Sequence, residues 1–410
     1  MGRVVGIIAE YNPFHTGHLY HITQAKARAC AEIAVCVISG NFVQRGESSL
    51  INKWTKTEMA LVNGADLVIE LPVLYSVSSA ENFASGAIKI LDELGVVDDI
   101  AFGTESPDIQ ILNDIANVVL KEPREYQAIL KHQLSVGNSF PVARENAILM
   151  YLNDEQEYGS VLHGPNNILA IEYLKAMKKS KSKMIPMAIK REKVGYNATR
   201  RIGEFASGTA IRNYLIRKEY MDIQKTMPAS SYGILREEMK NGNYVLDLSA
   251  YEKIIIYNLR KMSLAEIANL PDVNEGLENL IKKAANSSNN LIDLISNIKS
   301  KRYTQTRIQR ILVYALLGIT KQDMEMAQKT TPYIRVLGVN DKGRSLLSEM
   351  SMINKKANVV TSVKKFMDTN SNKALRQMME KDMFATDVYT LGYKKESYSN
   401  LDYTQNLIIM

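Results

Sequence analysis

Two histidines stand around a glycine in the stretch Asn12-Pro13-Phe14-His15-Thr16-Gly17-His18. An apolar run, Val4 to Ala9, leads into it, and a helical pattern begins at Leu19. The pair therefore falls at the crossing from a first strand to a helix. A helix start gathers unpaired backbone N–H groups and the positive end of the helix dipole, so it can hold phosphate. Gly17 lets a ligand come close to the backbone. His15 and His18 add donors aimed at phosphate oxygens. His21 extends a recurrence of one histidine every three residues, which raises a metal reading. No cysteine lies within this motif, the nearest acid, Glu10, is across the turn, and such spacing alone is a weak ligand set. No metal site is expected, and His21 reads as packing or support.

A second segment offers the same chemistry from the middle of the chain. Ser207-Gly208-Thr209-Ala210-Ile211-Arg212 starts a helix with two hydroxyls and a guanidinium in one turn. Arginine suits phosphate because its planar fork donates two parallel hydrogen bonds. Alone, this would be a capped surface helix with an exposed arginine. Paired with the histidine turn, it becomes the other half of a phosphate clamp. Lys190-Arg191 follows a strand-like run, where it is either surface charge or a ligand contact. Asn166 and Asn167 are either a helix cap or amides that read adenine or ribose. The run from Lys299 to Arg310 is basic and carries Tyr303, a pattern that suits a solvated helix face or an RNA backbone with a stacked base.

These groups need elements to position them. Strand-like runs at Val4–Ala9, Ile33–Ser39, Leu67–Leu71, Ile100–Phe102 and Ile185–Ile189 alternate with helical patterns at Leu19–Ala31, Trp54–Asn63 and Ser79–Leu94, the last stopped by Gly95. Such alternation predicts an α/β, Rossmann-like fold: a parallel sheet with flanking helices. Ligands of such sheets bind beyond the carboxyl ends of the strands. Four polar loops are expected there: Asn12–His18, Ser39–Asn41, Glu70–Pro72 and Gly103–Glu105. Residues 108–160 read as a helical insertion and Val194–Glu204 as a mobile loop. Beyond about Tyr220 helical patterns dominate, which divides the chain into 1–217, with the alternating strands and both phosphate-binding segments, and 218–410, mainly helical.

With 410 residues, one ordinary core is too small. A hydrophobic share of 46% against 23% charged fits a soluble globular protein rather than a disordered or membrane-embedded one. The net charge of +7 hints at a polyanionic partner. Cys30 and Cys36 lack disulfide or zinc spacing and are expected as buried free thiols. No leader-like or membrane-spanning run is visible, so the expected location is the cytoplasm. There is no Walker-type loop, no Gly-x-Gly-x-x-Gly fingerprint and no serine elbow.

The pairing of Asn12-Pro13-Phe14-His15-x-Gly17-His18 with Ser207-x-Thr209-x-Ile211-Arg212 resembles the nucleotidylyltransferase superfamily. Glu10–His15, Ser39–Glu47, Asp66–Pro72, Pro165–Leu169 and Arg302-Tyr303-Thr304 look more closely like the tRNA(Met) cytidine acetate ligase family. That resemblance implies activation of acetate with ATP to acetyl-adenylate, then acetylation of the wobble cytidine of elongator tRNA(Met) to N4-acetylcytidine. Magnesium would be carried by the nucleotide. The implied ATP contacts are Ile7, Ile8, Ala9, Glu10, Tyr11, Asn12, Pro13, Phe14, His15, Thr16, Gly17, His18, Leu19, Tyr20, Gly103, one of Asn166 and Asn167 with Asn166 preferred, and Arg191, joined by Ser207 and Thr209. The expected catalytic groups are His15, His18 and Arg212. The resemblance makes 1–217 the ATP-binding catalytic domain and 218–410 the tRNA-binding domain, with Lys301, Arg302, Tyr303, Arg307 and Arg310 as the expected RNA contacts. An adenylyltransferase that makes a dinucleotide-type cofactor, or a non-catalytic RNA-binding protein, are the alternatives.

Overall fold

The computed structural model describes residues 2–191, 203, 205–274 and 276–410. The loop expected over 194–204 lies outside the described residues, Gly203 apart. Eight strands form the main sheet: β1 (Arg3–Ala9), β2 (Ala31–Ser39), β3 (Leu67–Leu71), β4 (Asp99–Thr104), β5 (Ile185–Lys190), β6 (Ile334–Val339), β7 (Val359–Val360) and β8 (Ile408–Ile409). Their order is β8-β6-β3-β2-β1-β4-β5, with β7 also on β6. The sheet is parallel except that β6 runs antiparallel to β3. The five strands read from the sequence are thus joined by three from beyond residue 217. The region after 217 is mainly helical but supplies this edge of the sheet as well.

Strands buried on both faces read as continuous apolar runs. Alternate side chains serve opposite cores. Val4, Ile8, Val35 and Val37 join the helices Ala80–Leu94 and Pro165–Ser180 and the C-terminal helices on one side. Val5, Ile7, Cys36 and Ile38 join the helices Thr16–Ala29, Lys53–Val62 and Gly208–Arg217 on the other. Gly95 ends its helix with φ 68°, a left-handed stop that glycine adopts without Cβ strain. Residues 108–152 form three helices, Ile109–Lys121, Arg124–Ser135 and Phe140–Leu152. Cys36 is buried, but Cys30 is exposed. It caps its helix in a left-handed conformation, which turns it outward rather than into the core.

One small element directs the rest of the chain to the site. Phe42–Val43 pairs antiparallel with Glu47–Ser48, and Gly46 closes the turn at φ 73°. A Cβ on Gly46 would lie 2.3 Å from the backbone nitrogen of Arg310. The helix Gln305–Leu317 therefore packs its backbone directly on this hairpin.

Candidate active site

His15 is the N-cap of the helix Thr16–Ala29. Its Nδ1 accepts the Gly17 N–H at 3.1 Å, and the Nδ1 of His18 accepts the His15 N–H at 3.2 Å. The two rings stack at 3.7 Å. A side chain at Gly17 would come within 2.9 Å of the His15 ring, which explains the glycine. Burial, helped by the charge of Arg191, pushes His15 down to about 3 and holds His18 well below the usual histidine range. Both rings are neutral at pH 7. With Nδ1 used as acceptor, each carries its hydrogen on Nε2. The turn therefore presents two uncharged N–H donors.

The mid-chain segment meets this turn. Ser207 caps the helix Gly208–Arg217 by accepting the Ala210 N–H. A Cβ on Gly208 would sit 2.5 Å from the carbonyl oxygen of Asn12. Arg212 donates to Asn12 Oδ1 and to the Ser48 carbonyl, each at 2.6 Å, and pairs with Glu47 at 3.3 Å. Asn12 Oδ1 also accepts the Leu50 N–H at 2.8 Å. Arg212 thus ties three segments together as well as lining the site. Gly208→Ala is expected to push the two helix starts apart, lowering stability by about 1–3 kcal/mol and weakening nucleotide binding. Thermal melting and nucleotide titration would show both; unchanged affinity would mean that the close approach is not needed.

Two adjoining cavities open here. The larger, about 400 Å³, is lined by Ile8, Ala9, Glu10, His15, Gly17, His18, His21, Gly103, Asn166, Lys190 and Arg191, among others. The smaller, about 70 Å³, is lined by Tyr11, Asn12, Ser207, Thr209 and Arg212 together with Glu10, His15, His18 and Arg191. Of the expected contacts, Ile7 and Phe14 lie in the core instead, where they pack under the turn. Thr16 bonds the Thr226 carbonyl, and Pro13, Leu19 and Tyr20 line neither cavity. Among the four expected loops, Asn12–His18 and Gly103 reach the cavities. Ser39–Asn41 and Glu70–Pro72 stand behind them: Asn41 receives the Lys53 N–H, and Glu70 pairs with Lys53.

The asparagine pair divides its work. Asn167 is fully buried; its Oδ1 accepts the backbone N–H groups of Glu105 and Ser106, and its Nδ2 donates to the Val161 carbonyl. Asn166 lines the larger cavity, donates Nδ2 to Glu105 at 2.5 Å and accepts from Arg191 at 3.0 Å. Glu105 therefore sets both the helix start and the Asn166 amide. Sequence reading missed Gln44 and Arg45 of the hairpin, the apolar wall Phe83, Leu169 and Tyr173, and Thr306 from the C-terminal region, all of which line the larger cavity. It also missed Lys56. This lysine is completely buried and donates to the carbonyls of Ser39 and Gly40, each at 2.7 Å, to Ser49 Oγ at 3.0 Å and to the Glu10 carbonyl at 3.2 Å. Burial pushes it down to about 7. The turn signal Gln44-Arg45-Gly46 could have pointed to Gln44 and Arg45; Phe83, Tyr173, Thr306 and Lys56 are placed by distant partners.

The basic run divides too. Lys301 and Arg302 are exposed. Tyr303 is buried under the Arg307 guanidinium. Arg307 donates to the Asp272 carbonyl and to Asn274, and Arg310 pairs with the Asp272 carboxylate at 2.8 Å. Two of the five expected RNA contacts, Arg307 and Arg310, thus hold the helix start to the neighbouring turn, with Tyr303 packed beneath Arg307.

The chain matches the family model described as HIGH Nucleotidyl Transferase over residues 2–404. It is 41% identical to the tRNA(Met) cytidine acetate ligase of Acetivibrio thermocellus, covering 100% of both chains. Against the protein of the same name from Thermoanaerobacter sp. (strain X514) it is 44% identical over 99% of each. Among solved structures, Thermotoga maritima TmcAL without ligand superposes with a TM-score of 0.95 at 32% identity over 100% of both chains. The same protein bound with alpha-thio ATP gives 0.91 at 33%, again over 100% of both chains.

Proposed function

We propose a function from one premise: this chain belongs to the tRNA(Met) cytidine acetate ligase family. It joins acetate to ATP, releasing pyrophosphate, and transfers the acetyl group from the adenylate to the exocyclic amine of the wobble cytidine in elongator tRNA(Met). The observation that carries this reading is the meeting of the histidine turn with the helix start at Gly208 around one pair of cavities. Acetate is already ionised at neutral pH, so its attack on the α-phosphorus needs no base. It needs alignment and cancellation of phosphate charge. The Nε2–H groups of His15 and His18, the guanidiniums of Arg191 and Arg212, and the hydroxyls of Ser207 and Thr209 supply donors for that. The adenosine end takes the larger cavity by Gly103 and Asn166. Magnesium adds neutralisation when it arrives on the phosphates, and Glu47 at the smaller cavity is a carboxylate that could face it. Among the described residues no helix is long and apolar enough to cross a membrane, in keeping with work on RNA in the cytoplasm.

The test is reconstitution. Protein, ATP, acetate, magnesium and tRNA(Met) alone should yield N4-acetylcytidine with acetate-dependent pyrophosphate release. Adenylylation of a phosphorylated cofactor precursor, or no ATP turnover, would refute it. For the RNA surface, changing Lys301 and Arg302 together to alanine should weaken tRNA binding and lower the salt slope by roughly two charges. Equal affinity at low and moderate salt would remove these residues from the interface.

A further inference from the structure

Acyl transfer to an amine releases a proton, and the larger cavity offers few groups able to take it. Lys190, Arg191 and Arg45 are cations. His15 and His18 have Nδ1 occupied by backbone N–H groups and present only their donor side. His21 also lines the cavity, but burial and the charge of Arg191 push it down to about 4. Burial opposes proton uptake by an imidazole and favours it at a carboxylate. Among the described lining residues, Glu10 is the one carboxylate of the larger cavity. Burial raises its carboxyl above the usual range. Glu47 reaches only the smaller cavity and pairs with Arg212.

Glu10 is also held in place. It follows β1, its Oε1 accepts the Gln44 N–H at 2.8 Å, and its carbonyl accepts from Lys56. It lines both cavities, as do His15, His18, Arg45 and Arg191, and so stands on the wall where the two meet. The charged and titratable groups around it are Arg45 and Glu47 from the hairpin, Lys56 from the helix beneath, His15 and His18 from its own turn, and Arg191 and Arg212 from the segments opposite.

We propose that Glu10 is the base that takes the proton from the acceptor amine during acetyl transfer. The inference rests on the ligase reading above. The amine lone pair forms the new C–N bond at the acetyl carbon. The bond from that carbon to the phosphate oxygen breaks, and its electron pair leaves with AMP. The amine's proton passes to the Glu10 carboxylate and then to water.

A single-turnover assay with pre-formed, saturating acetyl-adenylate and tRNA(Met) tests this apart from adenylation. The wild-type rate should rise with pH through one carboxyl titration and then level. Glu10→Gln keeps an oxygen for the Gln44 N–H. It should transfer about 100-fold or more slowly and lose that titration. Glu10→Asp, which keeps a carboxylate, should be slower than wild type but retain it. A Glu10→Gln protein that transfers at the wild-type rate, or that is slow yet keeps the same pH profile, overturns the assignment. If wild-type protein moves no acetyl group from adenylate to tRNA, the ligase reading itself falls and the base with it.

Discussion

Replacing His18 with alanine is expected to lower acetate-dependent pyrophosphate exchange about 100- to 1,000-fold without unfolding the chain. The size follows from what is lost: one preorganised donor aimed at charge developing on a phosphate. The ring is neutral and its Nε2 bears the hydrogen, because Nδ1 is engaged by the His15 N–H. Folding should survive, since His18 stands on the wall of both cavities rather than in the core and the N–H it releases can turn to water in the cavity. His18→Asn or His18→Gln, which keep an N–H donor, should recover part of the rate. The pH dependence offers a separate check. With His15 pushed down to about 3 and His18 held well below the usual histidine range, both rings stay neutral around pH 7. The exchange rate should carry no imidazole step there. If the rings worked as imidazolium, activity would fall as pH rose past about 6.5. Near-normal exchange by a folded His18→Ala protein would take the turn out of the reaction.

What could be read from the sequence was local. The strand before Glu10, the cap at Ser207, the proline start at Pro165 and the stop at Gly95 each depend on neighbours within a few residues, and each stands where the pattern put it. The meeting of the histidine turn, at Asn12, with the helix start at Gly208 was legible because both segments carried phosphate chemistry. What stayed hidden depends on distant partners. The strand Ile334–Val339 was not read at all, and its Arg335 is buried because Glu70 and Asp402 arrive from elsewhere in the chain. Lys53 and Lys56 are charged side chains on or beside the helix read over Trp54–Asn63, yet both are fully buried. Arg307 and Arg310 looked free for RNA until the turn at Asp272 was placed beside them. Arg45 enters the cavity from a hairpin turn on which the backbone at Arg310 packs. Periodicity carries no trace of such pairings.

The second large effect concerns Lys53. Its ammonium is completely buried and lies 2.9 Å from Glu70 and 2.7 Å from Asp402. Arg335 shares both carboxylates. Two cations thus balance two anions, while the adjacent Asp382, bonded by the Tyr333 hydroxyl and the Val73 N–H, is raised to about 7 by burial and by Glu70. Lys53→Met removes one cation and leaves two buried carboxylates facing a single guanidinium. Breaking a buried pair from one side costs about 3–5 kcal/mol, a large part of the roughly 5–15 kcal/mol that holds a domain together. The sign of the pH response separates lost charge balance from lost packing. In the variant an uncompensated carboxylate should have its folded pKa raised above the unfolded value, so the folded state binds the extra proton. The variant's deficit should therefore shrink as pH falls from about 7 towards 5 and grow again as pH rises. Glu70→Gln added to Lys53→Met should recover part of the loss at neutral pH. Urea unfolding at several pH values reads all of this; a deficit under about 1 kcal/mol that ignores pH would mean the cluster is not holding the fold. The cluster also bears on how the two halves of the chain depend on each other. Lys53 and Glu70 come from before residue 217, Arg335 and Asp402 from beyond it. A piece ending at 217 would keep Lys53 and Glu70 but lose Arg335, Asp402 and strand β6. It should fail to fold as a soluble unit for the same electrostatic and packing reasons that make Lys53→Met costly.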